Sequence, residues 1–139
     1  MTGLDRRQTF PSTPASAGEA RRFLDTVLTD AGLEELTYTA TMLVSELVAN
    51  AVLHTGTAIE VVVRSEADRV RVEVHDGSPQ MPIRKYYSHM SGTGRGLMLV
   101  ERMASLWGAE RTGVGGKVVW FELDPHDLPA VDLFGVEAL

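Results

Sequence analysis

Two runs, AIEVVVRS at 58–65 and RVRVEVHD at 69–76, constrain this chain more than anything else in it. Both alternate apolar and polar residues, so Ile59, Val61 and Val63 share one face and Val70, Val72 and Val74 another, the mark of half-buried strands. Only EAD separates them, a hairpin-type connection. A second pair, AERTG and KVVWFEL, follows near the C-terminal end. Helical patterns stand apart from these pairs. EARRFLDTVLTDAG carries Phe23, Val27 and Leu28 on its apolar side, with Gly32 as its stop. A longer helix covers Glu34–His54, where Leu36, Ala40, Leu43, Leu47 and Ala51 recur at three- and four-residue spacing. GRGLMLVERMASLWG reads as a third, with Leu97, Val100, Ala104 and Trp107 inward and Gly108 ending it. Strands in hairpin pairs with helices apart predict an α+β sandwich, helices on one face of a mainly antiparallel, mixed sheet. They do not predict a parallel Rossmann sheet.

The remaining stretches set the boundaries. FPSTPASAG is a Pro/Ser loop leading into the first helix, with Thr13 or Ser16 as its cap and Pro14 in its first turn. RRQTF before it is strand or coil. Residues 77–93 show no periodicity, and a loop that long inside a compact domain is usually functional or mobile. A chain of 139 residues suits one domain, placed at 1–125, with 126–139 as a tail. Cysteine is absent, which excludes disulfides, thiol catalysis and cysteine-ligated metal. No run approaches the ~20 apolar residues of a membrane span, and MTGLDRRQTF lacks the apolar stretch of a signal peptide. A cytoplasmic protein without membrane contact is the expectation. The net charge of −6 argues against direct nucleic-acid binding, which needs clustered Lys and Arg.

Three features are candidates for chemistry. In SELVANAVLHTG, Glu46, Asn50 and His54 follow one another at four-residue spacing. At about 100° per residue, Asn50 projects roughly 40° and Glu46 roughly 80° to one side of the Leu36–Leu43–Leu47 stripe. Both therefore lie at the edge of the buried face, where they can line a cleft. An amide oxygen suits Mg²⁺, and a carboxylate beside it can accept a proton. An acid and an amide on an exposed flank are the commoner case for such a pair taken alone. His54 falls near the centre of the stripe and reads as a core or helix-end histidine. Asp76 directly follows a strand; DGSP fits a turn, and the alternative is a carboxylate fixed at a strand end to accept from an amino group. In SGTGRGLMLV, Gly92, Gly94 and Gly96 alternate before a helix, which suits close backbone approach to phosphate and equally a flexible loop. No P-loop, HExxH, EF-hand or G-x-S-x-G spacing occurs.

In this order, SELVANAVLH, VEVHDGSP and GTGRGLMLV resemble the N box and the two glycine boxes of the GHKL ATPase superfamily. LVSELVANAVLHTG and GKVVWFEL look most like bacterial anti-sigma-factor-type serine/threonine kinases and their actinobacterial relatives. The resemblance spans roughly residues 10–123 and implies the Bergerat-type ATPase sandwich. It implies ATP and Mg²⁺ as cofactors, with Asn50 ligating the metal and Glu46 as general base. It implies that Asp76 reads the adenine amino group with Ser78 beside it. Gly92, Thr93, Gly94, Arg95, Gly96 and Leu97 would wrap the phosphates, residues 79–91 would form a lid, and Arg95, Lys85 or Arg84 would add positive charge near the γ-phosphate. The implied partners are a sigma factor and an anti-anti-sigma (STAS-type) protein whose serine is phosphorylated, with a homodimer formed through the N-terminal strand and helix. A nucleotide-responsive binding module without kinase activity is the rival. The ATP-binding half of a histidine kinase fits poorly, because no dimerisation helix pair with a phosphoacceptor His is apparent. Two positions depart from the superfamily pattern. Ser78 stands where a glycine is usual, and Val118 stands where a threonine that helps hold adenine is expected.

Overall fold

Alternating residues become a five-stranded sheet in the order β1-β2-β3-β5-β4. The structure, a computed structural model, describes residues 3–66, 68–80 and 96–127. Its elements are β1 (Asp5–Phe10), α1 (Ser16–Asp30), a 3-10 turn (Glu34–Leu36), α2 (Thr37–His54), β2 (Ile59–Glu66), β3 (Arg69–Asp76), α3 (Gly96–Met103), β4 (Leu106–Arg111) and β5 (Lys117–Leu123). Every described strand pairing is antiparallel, so among the described strands the sheet is antiparallel throughout rather than mainly so. The helices cover one face. Ile59, Val61 and Val63 of β2, Val70, Val72 and Val74 of β3, and Val119, Phe121 and Leu123 of β5 point toward them and are buried.

The chain enters as an edge strand. β1 pairs only with β2 among the described strands, and its last residue, Phe10, turns into the core. There it meets Phe23 of α1 edge-on, with ring centroids 6.2 Å apart. Neither Thr13 nor Ser16 caps α1. Ala15 is the N-cap, and Ser16 is already helical, its hydroxyl donating to the Pro11 carbonyl. At the other end Gly32 has φ +75°, a conformation side chains disfavour, and Leu33 N–H donates 2.8 Å to Leu28 O, closing the helix.

α2 is the central helix. Ala40, Leu43, Val44, Leu47, Val48 and Ala51 are buried, and it packs on α1, β3 and α3. Its length and apolarity, counted from Glu34, would also suit a membrane span, but half of that stretch is already buried inside the domain, as in a core helix.

α3 is shorter than its periodicity suggests. Helical spacing carried it through Trp107 to Gly108; the structure ends it at Met103 and places both residues in β4. The reason is tertiary. Leu106, Trp107 and Gly108 stand opposite Glu122, Phe121 and Trp120 of β5, and Ser105 N–H donates to Glu122 O at 2.8 Å. Gly108 lies beneath the Trp120 indole, where an added Cβ would come within 2.7 Å of the ring.

Candidate functional site

The ends of four elements gather at one end of the sandwich: the C-termini of α2 and β3, the N-terminus of β5 and the C-terminus of β4. A short polar chain ties them. After α2, Thr57 Oγ1 accepts from Gly77 N–H at 2.8 Å, joining the α2–β2 loop to the residue after β3. Arg111 Nε, ending β4, donates to Pro79 O at 3.3 Å. Gly116 fixes the closest approach. A Cβ there would sit 2.1 Å from Asp76 O, so only glycine lets β5 begin this near the end of β3.

Asp76 is the centre of this end. It faces the helices in step with Val70, Val72 and Val74, and it stands opposite Lys117 in the sheet register. Its Oδ1 accepts from Ser78 N–H at 2.8 Å, an Asx-type turn that bears out the DGSP turn reading. The same carboxylate is also paired. Lys117 Nζ lies 2.9 Å from Oδ2 and 3.1 Å from Oδ1, and both side chains are only 3% exposed. Removing two charges from water is costly, and only close pairing with further hydrogen bonds offsets it. Lys117 was not foreseen. Its signal was the alternation of KVVWFEL, which puts position 117 on the face of Val119, Phe121 and Leu123.

The same register corrects the reading of Val118. That side chain stands opposite His75 and Glu110, residues of the face away from the helices and from Asp76. The position beside Asp76 is 117, because a one-residue shift along a strand reverses the face.

On α2, Asn50 is buried, at 1% exposure, and Glu46 one turn earlier is half-buried. Asn50 lies deeper than an edge position; Glu46 keeps the edge. His54 ends the helix and is half-buried rather than in the core cluster. Its imidazole is held below its ordinary range, first by burial and then by the charge of Lys117. A helix C-terminus favours a cation, and here the other two effects win. His54 therefore belongs to the electrostatics of the Asp76–Lys117 pair.

Gly96 is the first residue of α3 and Leu97 the second. Gly92, Thr93, Gly94 and Arg95 lie outside the described residues, as do Arg84, Lys85 and all of the expected lid except Pro79 and Gln80. Among the described residues no cluster of three acidic or histidine side chains could bind a metal alone. One amide oxygen, that of Asn50, suits a magnesium ion that keeps most of its ligands from phosphate and water. Among the described residues this donor fits a metal brought in with a nucleotide.

No curated protein matches the chain. Among solved structures it is similar to the histidine kinase domain of the Escherichia coli osmosensor EnvZ, solved by NMR, with 18% identity over 74% of this chain and 72% of that one and a TM-score of 0.46. Residues 10–123, from the end of β1 to the end of β5, match the histidine kinase-like ATPase domain. The chain belongs to that family, within the GHKL superfamily.

Proposed function

We propose that this protein is a cytoplasmic ATP-binding regulator of the anti-sigma-factor type. It acts as a serine/threonine kinase on an anti-anti-sigma (STAS-type) partner and holds a sigma factor by surface contacts. The observation that supports this most is the placement of Glu46 and Asn50 one turn apart on the last half of α2, whose following loop is tied through Thr57 to the residue after Asp76. Asn50 would hold Mg²⁺ carried on the phosphates of ATP. Phosphoryl transfer asks for positioning and charge stabilisation more than covalent chemistry. Glu46 takes the proton of the attacking serine hydroxyl. Asp76 accepts from the base, with Ser78 N–H orienting its carboxylate. The glycines at 92, 94 and 96, with Thr93, Arg95 and Leu97, cradle the phosphates. Homodimerisation belongs to the same proposal, and the outer edge of β1, which no described strand pairs, offers it a place.

The test is transfer of labelled γ-phosphate from Mg·ATP to a purified STAS-type partner. Glu46→Ala should lower the rate by about 10²–10⁴-fold while ATP still binds. Unchanged transfer in that variant sinks the kinase reading.

The Asp76–Lys117 pair favours a second reading, a nucleotide-responsive binding module without kinase activity, since a base must share a carboxylate already bound by a cation. ATP-dependent partner capture with no phosphate transferred or released would select it.

A further inference from the structure

We propose that residues 128–139 of this chain dock in the groove between β1 and α1 and close the open edge of the sheet. The contact is independent of nucleotide binding. The groove, of about 970 Å³, runs along β1 from Gly3 to Pro11, with α1 from Glu19 to Ala31 as its other wall. It exists because the helix layer stops short of the edge strand. The register puts Arg6 and Gln8 on the helix face, opposite the buried Val63 and Val61, yet both are exposed. The backbone is open as well. Ser65 N–H donates to Leu4 O and Leu4 N–H to Ser65 Oγ, each at 3.0 Å. Leu4 therefore turns its backbone groups toward β2, and by alternation the N–H groups of Asp5, Arg7 and Thr9 point away from it. A row of edge donors of this kind takes an added strand.

Three observations name the occupant. The first is where the chain goes. After β5 it turns, with Asp127 N–H on Asp124 O at 3.0 Å, and Pro125 and His126 line a smaller cavity with Leu33, Ser65 and Val70. Ser65 is the residue bonded to Leu4, where the groove begins. The chain is thus delivered to the β1 edge and not to β4, the other edge among the described strands. The second is length. The run from Gly3 to Pro11 spans about 27 Å, and the extended run from 128 to 139 reaches about 40 Å. The third is chemistry. LPAVDLFGVEAL, at 128–139 and outside the described residues, sets Asp132 and Glu137 among apolar residues and carries no Lys or Arg. The groove offers Leu4, Phe23 and Val27 to the apolar residues and Arg6 and Arg22 to the acids. Arg6 has only the Asp5 carbonyl, at 3.4 Å, and neither arginine has a carboxylate partner among the described residues. The groove's own acids, Glu19 and Asp30, stand toward the two ends of α1 and engage neither. The homodimer proposed above uses the same edge, so it forms only where this segment has left.

The chain has no cysteine, so an introduced pair reports this contact alone. A segment that passes Leu4 near residue 129 and advances one residue per residue of β1 brings residue 133 beside Gln8. Gln8→Cys combined with Leu133→Cys, or with Phe134→Cys for a register one residue on, should close a disulfide within one full chain, since neighbouring strands suit its geometry. Leu106→Cys combined with the same tail cysteine is the control. Leu106 is exposed on β4 opposite Glu122, as near the end of β5, and its cross-link should form at least tenfold more slowly. In the wild-type chain the amides of Asp5, Arg7 and Thr9 should exchange with deuterium at least tenfold more slowly than free amides. Leu133→Asp combined with Phe134→Asp should restore fast exchange. Equal cross-linking at Gln8 and Leu106 means a segment with no preferred seat and overturns the proposal. A disulfide joining two copies through position 8 overturns it too, since the edge then belongs to a second copy. Edge amides that exchange freely in the wild-type chain overturn it without any variant.

Discussion

The two faces of the sheet use ion pairs in opposite ways. On the face away from the helices, Glu73 accepts from Arg64 at 3.2 Å, from Arg71 at 2.8 Å and meets His75 Nε2 at 2.8 Å. Glu122 takes Arg71 and Arg69 at 3.2 and 3.3 Å, and the Arg71 guanidinium stacks 3.9 Å over Trp120. Each carboxylate has more than one cation, and the network crosses β2, β3 and β5. On the helix face the pair of Asp76 and Lys117 sits at the end of an apolar surface. The network is saturated and covers a solvent-facing sheet. Among the described residues the Asp76–Lys117 pair keeps hydrogen-bonding capacity that the outer network has used.

The comparison breaks most severely at Gly116. Gly116→Ala would drive a methyl against the Asp76 carbonyl, so the strands must separate where the pair sits. Overpacking against backbone belongs to the upper tail of single substitutions, and a loss of about 4 kcal/mol or more is expected in urea unfolding. A loss under about 1 kcal/mol would show that β5 shifts freely and that the pair is not held by its backbone. Next comes Lys117→Met, which leaves the Asp76 carboxylate without its cation. Breaking a buried pair on one side costs about 3–5 kcal/mol, and replacing both partners with apolar residues costs much less. Asp76→Leu combined with Lys117→Met should therefore recover much of the stability, while nucleotide binding goes with the Asp76 carboxylate. If the double variant is no more stable than the single one, the cost came from packing, not from an orphaned charge.

Legibility in the sequence follows the same division between local and long-range causes. The β2–β3 hairpin and Gly32 were readable because period-two alternation and a left-handed stop are local properties. Trp107 and Gly108 were not, because LWG satisfies a helical stripe as well as a strand. Pairing with β5, and Trp120 lying over Gly108, decided between them. Glu46, Asn50 and Asp76 stand out as candidates by their spacing and by the end of a strand. Lys117 does not, since lysine is ordinarily exposed and its partner lies 41 residues away. Val118 shows how little separates the two outcomes. The position was off by one residue, and in a strand that is the difference between the site and the opposite face.

The saturated face responds to pH through Glu73. Its burial raises the carboxyl pKa, but hydrogen bonds from His75 and Arg71 and the charges of Arg64 and Arg71 outweigh it and hold the group below its ordinary value. A depressed folded-state pKa means stability that is fully present above the unfolded value of about 4.3 and lost as pH falls through the folded one. Glu73→Gln should therefore unfold at lower urea than the wild type at pH 7, by about 1–3 kcal/mol, with the gap closing as pH is taken below 4. A gap independent of pH would mean that Glu73 acts through shape and not through charge.

The smallest effect belongs to the rim of the network. Arg69 is 43% exposed on its side chain, and its partner Glu122 keeps Arg71 when Arg69 is removed. An exposed pair gains little over its solvated parts, and side-chain ordering offsets much of that gain. Arg69→Ala should cost about 0.2–1 kcal/mol, with less difference from wild type at 1 M salt, where screening reaches about 3 Å. A loss near that of Lys117→Met would mean that the outer network is held as one unit, and the contrast between a redundant face and an isolated pair would fail. A small, salt-sensitive loss keeps the contrast, because redundancy is the property that lets one face give up a cation while the other cannot.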